Sequence, residues 1–427
     1  MRPPNRRLPR FRGTGAFVTA LFCSAATIIW PAAAQTQEPQ LIQPHSGFQL
    51  DSVSAFTAYY SDGFAANLVP LQSAALAPDV AMGAAATLSW NNVTERSNVS
   101  VTYTADYSGR VRYSSWDALN HRLSMNAARH LTPLWEFRFA LGAGVSTSDQ
   151  LVLLNGELSG AAPVSASLLL FGERSLSATA LMSLSYKLSS RTSLAWHVGG
   201  TRYQSLAGND AAAQAGVVSL LSQSTTASAG FDVSHSLSPR TQVGLTFGTN
   251  RLISGFLDAW SQSGIVFLNR ALSQRWFAAV RGGGGFVHPL QREVNLTSAP
   301  QYLAGGNLGY KTPANTLQVS FDRTVGDTYG LGAATTVSGF ASWTWAQPGS
   351  PWSLRASVGE QQLEHGVLPT VRTRQMTFSI GRAINRNLQL MAEYGYMQYS
   401  GGALFGSISP TAVRLAMVWR PGPGLLH

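Results

Sequence analysis

The chain has 427 residues, of which 12% are charged and 45% are hydrophobic, and its formal net charge is +10. The charged fraction is about half that of an ordinary soluble domain. Cys23 is the only cysteine, which excludes disulfide bonds within the chain and metal sites built from several cysteines.

Residues 1–34 have the pattern of a cleaved signal peptide. Five arginines between positions 2 and 12 precede an apolar stretch from Ala16 to Trp30, and Ala32 to Ala34 form a small-residue cleavage site. The apolar stretch of about 15 residues is shorter than the ~20 that a spanning helix needs. Cleavage before Gln35 would lower the net charge from +10 to +5, because the five arginines leave with the signal peptide. The basic composition is therefore weak evidence for a nucleic-acid partner, and we expect none.

The rest of the chain divides into a periplasmic lead-in at 35–49, a β-barrel at 50–420 and a short tail at 421–427. The barrel region contains long runs in which apolar and polar residues alternate, each about as long as the ~9–11 residues of a tilted membrane strand, whereas strands of soluble proteins average ~5–6. We predict eighteen strands, with sixteen as the alternative because the first run and the run at 260–270 alternate least clearly. The runs are 50–60, 80–91, 96–108, 118–131, 134–148, 176–188, 191–204, 222–236, 240–251, 260–270, 274–287, 300–310, 314–325, 332–346, 350–361, 371–382, 386–399 and 409–420.

Short turns and longer polar loops join these runs alternately, which is typical of membrane barrels. Leu237-Ser238-Pro239-Arg240 is the clearest short turn, and Leu188-Ser189-Ser190-Arg191 and Leu272-Ser273-Gln274-Arg275 repeat its pattern. The longest loop, 149–175, contains apolar stretches at 152–154 and 168–171. These stretches could fold into the lumen or extend the barrel as an outer hairpin, and the sequence does not favour either.

Six tryptophans are predicted to lie at one height on the apolar face, next to the short turns. Such a girdle is expected at a membrane interface, whereas a soluble sandwich has no reason to build one. The tryptophans are Trp90, Trp135, Trp276, Trp345, Trp352 and Trp419.

The repeated turns, the strand pattern and the terminal aromatic strand Thr411 to Trp419 resemble those of the β-barrel porins of bacterial outer membranes, over about residues 50–420. The resemblance implies an all-β, antiparallel transmembrane barrel in the outer membrane of a Gram-negative cell. It also implies a passive diffusion or export pore for small polar solutes or saccharides. The expected partners are outer-membrane lipid, lipopolysaccharide and the barrel-assembly machinery.

Charged residues on the polar faces are candidates for the pore lining. They form either a filter that weakly repels cations or a wall of charges paired across neighbouring strands. The candidates are Arg122, Glu136, Arg138, Lys187, Arg281, Asp322, Arg355, Glu393 and Arg414, with Asp106 and Asp232 as further acids.

A barrel enzyme, such as a lipid hydrolase, and a structural or surface-binding barrel with a filled lumen are the alternatives to a channel. Strand histidines at 121, 130, 197 and 235 lack the spacing of a catalytic or metal site. The run Gly282 to Gly285 lacks the Lys-Ser/Thr pair of a phosphate loop, so it indicates close packing or a kink. We therefore expect no catalytic, metal or cofactor site.

Overall fold

The computed structural model describes residues 47–61, 78–112, 114, 117–147, 174–206, 223–254, 258–290, 300–327, 333–365, 370–400, 407–409 and 411–421. The predicted signal peptide, most of the lead-in, positions 149–173 of the longest loop and the tail beyond position 421 lie outside the described residues.

The described residues form one antiparallel sheet of long strands. No helix in them is long and apolar enough to cross a membrane. The strands are β1 Gly47–Tyr60, β2 Asp79–Val93, β3 Ser97–Arg110, β4 Ala118–His130, β5 Trp135–Thr147, β6 Arg174–Lys187, β7 Thr192–Ser205, β8 Ser224–Ser238, β9 Thr241–Ser254, β10 Asp258–Ala271, β11 Trp276–Pro289, β12 Gln301–Lys311, β13 Asn315–Asp327, β14 Ala333–Ala346, β15 Trp352–His365, β16 Val371–Ala383, β17 Leu388–Ser400, β18 Ser407–Ile408 and β19 Thr411–Trp419.

The sheet closes on itself into a barrel. Each long strand pairs with the next along the chain, and β19 pairs with both β17 and β1. The closing seam runs in register from Val53 opposite Trp419 to Tyr60 opposite Ala412. The two-residue strand β18 pairs only with the end of β17 and does not span the wall. Within the described part of the chain the barrel therefore has eighteen spanning strands, which confirms the predicted number and excludes sixteen.

Every predicted run coincides with an observed strand, and the ends differ by four residues or fewer. The two runs with the least clear alternation, at 50–60 and 260–270, are strands β1 and β10 of 14 residues each. The largest difference is in β15, which continues to His365. Strand β3 continues to Arg110, two residues beyond its predicted end.

The same type of hydrogen bond recurs in the short turns. An oxygen of one turn side chain accepts a hydrogen bond from the backbone N–H three residues later, which holds the reversal before the next strand begins. In the turn before β11, Ser273 Oγ accepts from the backbone N of Trp276 at 3.1 Å. The equivalent acceptors are Thr94, Thr132, Ser189, Thr312 and Asn385.

Candidate functional site

The strands have one exposed apolar face and one face that is more polar and more buried. On β19, Val413, Leu415 and Met417 are 45–54% exposed, whereas the alternate residues Arg414 and Val418 are buried. A closed sheet of one layer can bury side chains only on its concave side. The buried register therefore lines the lumen, and the apolar register forms the outer wall.

The outer wall is apolar around the barrel. Its exposed side chains include Met82, Leu123, Met182, Val198, Phe247, Val266, Val280, Phe321, Val358, Met376 and Leu415. A continuous apolar surface of this extent is far larger than the patches that water-soluble monomers expose. It is the surface of a protein whose surrounding solvent is lipid.

The six predicted tryptophans lie on this outer wall, at the strand ends next to the short turns. Trp135, Trp276 and Trp352 are the first residues of their strands, and Trp419 is the last residue of β19. Trp90 and Trp345 precede the ends of β2 and β14 by three residues and one residue. The girdle also includes tyrosines: the ring centroids of Trp135 and Tyr186 are 4.6 Å apart, and those of Trp276 and Tyr310 are 4.7 Å apart. Amphipathic rings at this height mark a membrane interface.

The nine candidate lining residues all lie on the inward register. Inward residues pair with inward residues along the ladder, as in Thr104 opposite Arg122 and His130 opposite Glu136. The same alternation places the rest on the concave face: Arg138, Lys187, Arg281, Asp322, Arg355, Glu393 and Arg414.

Several of these charges form ion pairs within the wall. Arg138 Nε lies 2.5 Å from Glu136 Oε1 on the same strand, and Arg414 Nη1 lies 3.4 Å from Glu393 Oε2 on the neighbouring strand. Lys187 is exposed at the end of β6 and makes no ion pair with another described residue. The geometry favours the second interpretation of the sequence, in which wall charges neutralise one another.

Arg281 and Asp322 pair across an intervening strand. Arg281 lies on β11 and Asp322 on β13, and Gly305 of β12 is the register partner of both. A Cβ at Gly305 would stand 2.6 Å from Arg281 Nε and 2.8 Å from Asp322 Oδ1. The glycine is therefore what lets the two charges meet over the backbone of β12.

One sector of the lumen wall, formed by β1–β4, β17 and β19, buries most of its charges. The Arg110–Asp79 pair, 3.5 Å apart, has side chains that are 1% exposed. The guanidinium groups of Arg110 and Arg414 lie 4.6 Å from the ring centroids of Tyr60 and Phe56, respectively. The sequence analysis does not identify Arg110 or Asp79, because the predicted third run ends at position 108 and the predicted second run begins at position 80. The signal in the sequence is Arg110 itself, a charged residue that continues the polar positions of the third run by one further step.

The same sector contains a buried hydrogen bond. Asn120 Nδ2 donates to Asp106 Oδ2 at 2.7 Å, and both residues are at most 4% exposed. Here and elsewhere along the wall, neighbouring strands join their inward hydroxyl groups, as in Thr87 with Thr104, Ser193 with Ser234, and Ser357 with Thr377. These contacts hold small polar groups against the wall.

The lumen register also carries phenylalanines, which sequence reasoning did not single out. Phe56, Phe267 and Phe277 stand directly opposite Gly83, Gly244 and Gly309 on the adjacent strands. A Cβ on any of these glycines would collide with the opposing ring. The rings therefore lie flat over the glycines, so they line the wall instead of filling the lumen.

The histidines in the described strands do not assemble a recognisable reaction centre. His197 Nδ1 lies 3.3 Å from Asp232 Oδ2 in the lumen. His121 is on the outer wall, where its Nδ1 lies 2.7 Å from the hydroxyl of Tyr103. The described residues contain no group of three or more His, Cys, Asp or Glu side chains that could hold a metal ion.

Comparison with known proteins identifies similar structures. No family model matches the sequence. No curated protein matches it either. Solved structures that are similar include OccK3 (OpdO) of Pseudomonas aeruginosa, with 11% identity, 87% of this chain and 95% of that chain covered, and a TM-score of 0.45. OccAB4 of Acinetobacter baumannii has 10% identity, 89% and 99% coverage, and a TM-score of 0.45. OccK9 (OpdG) of Pseudomonas aeruginosa has 10% identity, 88% and 98% coverage, and a TM-score of 0.46.

Proposed function

We propose that the chain is an outer-membrane channel through which small polar solutes diffuse passively. The observation that carries this proposal is the lumen wall of a closed barrel of eighteen strands. Barrels of about 16–18 strands enclose an aqueous channel, whereas barrels of about eight fill their interior with side chains. Here the inward serines and threonines are small, and inward phenylalanine rings lie along the wall.

The charges of the wall suggest low selectivity. Acids and bases on the inward register neutralise one another in pairs, as in Arg281 with Asp322 and Arg414 with Glu393. Unpaired fields of one sign, which would reject one class of ion, are not evident among the described residues. We expect near-neutral to weakly anion-favouring conductance, compatible with uncharged solutes such as saccharides.

The outer wall supports a location in the outer membrane and the partners that this location implies. An apolar band bordered by an aromatic girdle fits a bilayer, and a β-barrel with such a band is the form taken by proteins of the bacterial outer membrane. Outer-membrane lipid, lipopolysaccharide and the barrel-assembly machinery are the partners that follow from this location.

Reconstitution into a planar bilayer tests the channel directly. We expect stepwise conductance, and Arg355→Glu should move the reversal potential in a salt gradient towards cation selectivity. Arg202→Glu is the matched control, because Arg202 carries the same charge but lies on the outer register of β7. A folded barrel that never conducts would refute the channel and favour the enzyme or binding alternatives.

A lipid hydrolase is the alternative with the most specific structural requirement. It would need a histidine on the outer wall beside a serine nucleophile. The outer-wall His121 instead contacts the hydroxyl of Tyr103, and its register partners are Ala105 and Val145. Two other histidines on the outward register do not meet a serine either, because His235 contacts the hydroxyl of Thr192 and His288 is the register partner of Trp260. No observation in the described residues favours this alternative over the channel.

A further inference from the structure

The short turns have a composition that the channel function does not explain. The residues between strands at this end are 94–96, 131–134, 188–191, 239–240, 272–275, 312–314, 347–351 and 384–387. Their charged residues are one acid, Glu95, and five exposed arginines, Arg96, Arg191, Arg240, Arg275 and Arg386. None of these arginines forms an ion pair with another described residue.

The connecting segments at the other end of the barrel have the opposite balance in their sequence. The segments 61–78, 111–117, 148–173, 206–223, 255–257, 290–300, 328–332, 366–370 and 401–410 contain two basic residues, Arg112 and Arg292. Their acidic residues are Asp62, Asp117, Asp149, Glu157, Glu173, Asp210 and Glu293. Among the connecting segments, basic residues are therefore concentrated at the turn end. The outer wall near the other end also carries arginines, but most of them form ion pairs with acids, as Arg251 does with Asp258 and Arg374 with Glu360.

An exposed apolar residue accompanies the arginine in most of the turns that carry one. Leu188, Leu237 and Leu272 each precede an arginine by three residues, and Ile384 precedes Arg386 by two. With Leu131 these side chains are 49–59% exposed and continue the outward register of the preceding strand. An apolar side chain beside an arginine is suited to a lipid interface, because the alkyl group can enter the bilayer while the guanidinium group stays among the head groups.

Three arginines on the outer wall lie at the same height. Arg382 is the register partner of Trp352, and its guanidinium carbon is 5.1 Å from the tryptophan ring centroid. Arg129 and Arg270 each lie six residues before a girdle tryptophan, Trp135 and Trp276. All three arginines are exposed and face away from the lumen.

We propose that this turn rim is a binding belt for anionic glycerophospholipids in the leaflet at the turn end of the barrel. We define the turn rim as Arg191, Arg240, Arg275 and Arg386 of the turns together with Arg129, Arg270 and Arg382 of the outer wall. The guanidinium groups bind the phosphodiester groups, and the turn leucines and girdle tryptophans contact the adjoining glycerol and acyl regions.

The outward register identifies lipid, rather than a soluble anion or an acidic protein, as the occupant. Anions that enter the lumen would be held by inward groups, whereas Arg129, Arg270 and Arg382 face the surroundings of the barrel beside Trp135, Trp276 and Trp352. The excess of arginine over acid at this level favours lipids with a net negative charge over zwitterionic lipids. The inference rests on the proposed membrane location but not on conductance.

Native mass spectrometry of the detergent-solubilised barrel tests this belt. The barrel is offered phosphatidylglycerol or phosphatidylcholine with identical acyl chains, and we expect it to retain several-fold more phosphatidylglycerol. Soluble glycerophosphoglycerol, which has the head group without acyl chains, should not compete. Effective competition by it would mean that the rim is a general phosphate site, which contradicts the proposal.

Two variants and one control identify which arginines cause the preference for phosphatidylglycerol. The turn variant carries Arg191→Gln, Arg240→Gln, Arg275→Gln and Arg386→Gln, and the wall variant carries Arg129→Gln, Arg270→Gln and Arg382→Gln. Each should reduce the preference for phosphatidylglycerol, and their combination should abolish it. The control removes three arginines at the other end, with Arg112→Gln, Arg174→Gln and Arg202→Gln, and should keep the preference.

Either of two outcomes would overturn the belt. The unaltered barrel could retain the two lipids equally, or the control could lose as much of the preference for phosphatidylglycerol as the variants lose. Heat-modifiable migration on a gel verifies that each variant is folded, and single substitutions such as Arg275→Gln replace any combination that is not. A barrel that does not enter vesicles at all would instead refute the proposed membrane location, so the two failures are distinguishable.

Discussion

At the scale of single residues, glycine decides where the larger side chains of the lumen wall can lie. Gly305 leaves room for Arg281 and Asp322 to meet over the backbone of β12, and Gly309 leaves room for the ring of Phe277. In both cases the missing side chain on one strand creates the space that a neighbour occupies. Large side chains can therefore lie along the wall beside the glycines.

Replacing Gly309 by alanine should force the Phe277 ring off the wall. The three heavy atoms nearest to the added Cβ all belong to that ring. We expect the free energy of unfolding to fall by about 1–3 kcal/mol, the range for overpacking. We also expect conductance to fall, because the displaced ring can move only into the lumen. Urea unfolding in lipid vesicles and bilayer recordings measure the two effects.

The variant Phe277→Ala supplies the control for this prediction. Combined with Gly309→Ala, it removes the ring that the new methyl group meets, so the double variant should recover conductance and lose less stability than additivity predicts. Additive losses in the double variant would mean that the ring does not occupy the space above Gly309.

At the scale of elements, the hairpins depend on turn side chains that end one strand and start the next. Ser273 Oγ accepts hydrogen bonds from the backbone N atoms of both Arg275 and Trp276, at 3.2 and 3.1 Å. In the turn before β17, Asn385 Oδ1 makes the same two contacts, with Asn387 and Leu388, at 2.8 Å each. Serine and asparagine are thus interchangeable acceptors in this type of turn.

Ser273→Ala should destabilise the barrel by about 1 kcal/mol, because it leaves these N–H groups without their side-chain acceptor in an exposed turn. Ser273→Asn should retain most of the stability, since Asn385 accepts the equivalent hydrogen bonds in the turn before β17. Urea unfolding in vesicles, followed by tryptophan fluorescence, compares the three proteins. An asparagine variant as unstable as the alanine variant would show that the side-chain acceptor does not hold the turn.

The strands and turns follow from the sequence because each strand has its own alternating pattern and each short turn has its own turn-forming residues. The ion pairs of the lumen wall do not follow from the sequence, because they depend on which residues become register partners. Arg281 and Asp322 are 41 positions apart, and nothing local indicates that Gly305 stands between them. The nine lining residues could be assigned to a face by alternation alone, whereas Arg110 required the true end of β3.

At the scale of the whole molecule, closure of the barrel joins the two ends of the described chain. Strands β1 and β19 would otherwise be open edges, which are prone to pair with other molecules. Their register is defined by eight residue pairs, from Val53 with Trp419 to Tyr60 with Ala412. An even number of spanning strands is what brings these two strands together antiparallel.

A disulfide across this seam tests closure and register together. Tyr59 and Val413 are register partners on the outer wall and are 48% and 45% exposed. Antiparallel partners have Cα atoms about 4.5–5.5 Å apart, within the range of disulfide bonds. In a chain whose Cys23 is replaced by serine, Tyr59→Cys with Val413→Cys should therefore lose both free thiols on mild oxidation and remain monomeric. Tyr59→Cys with Met417→Cys, displaced by four residues along β19, should keep its thiols. Disulfide-linked dimers in place of closed monomers would mean that β1 and β19 are open edges and that the sheet is not a barrel.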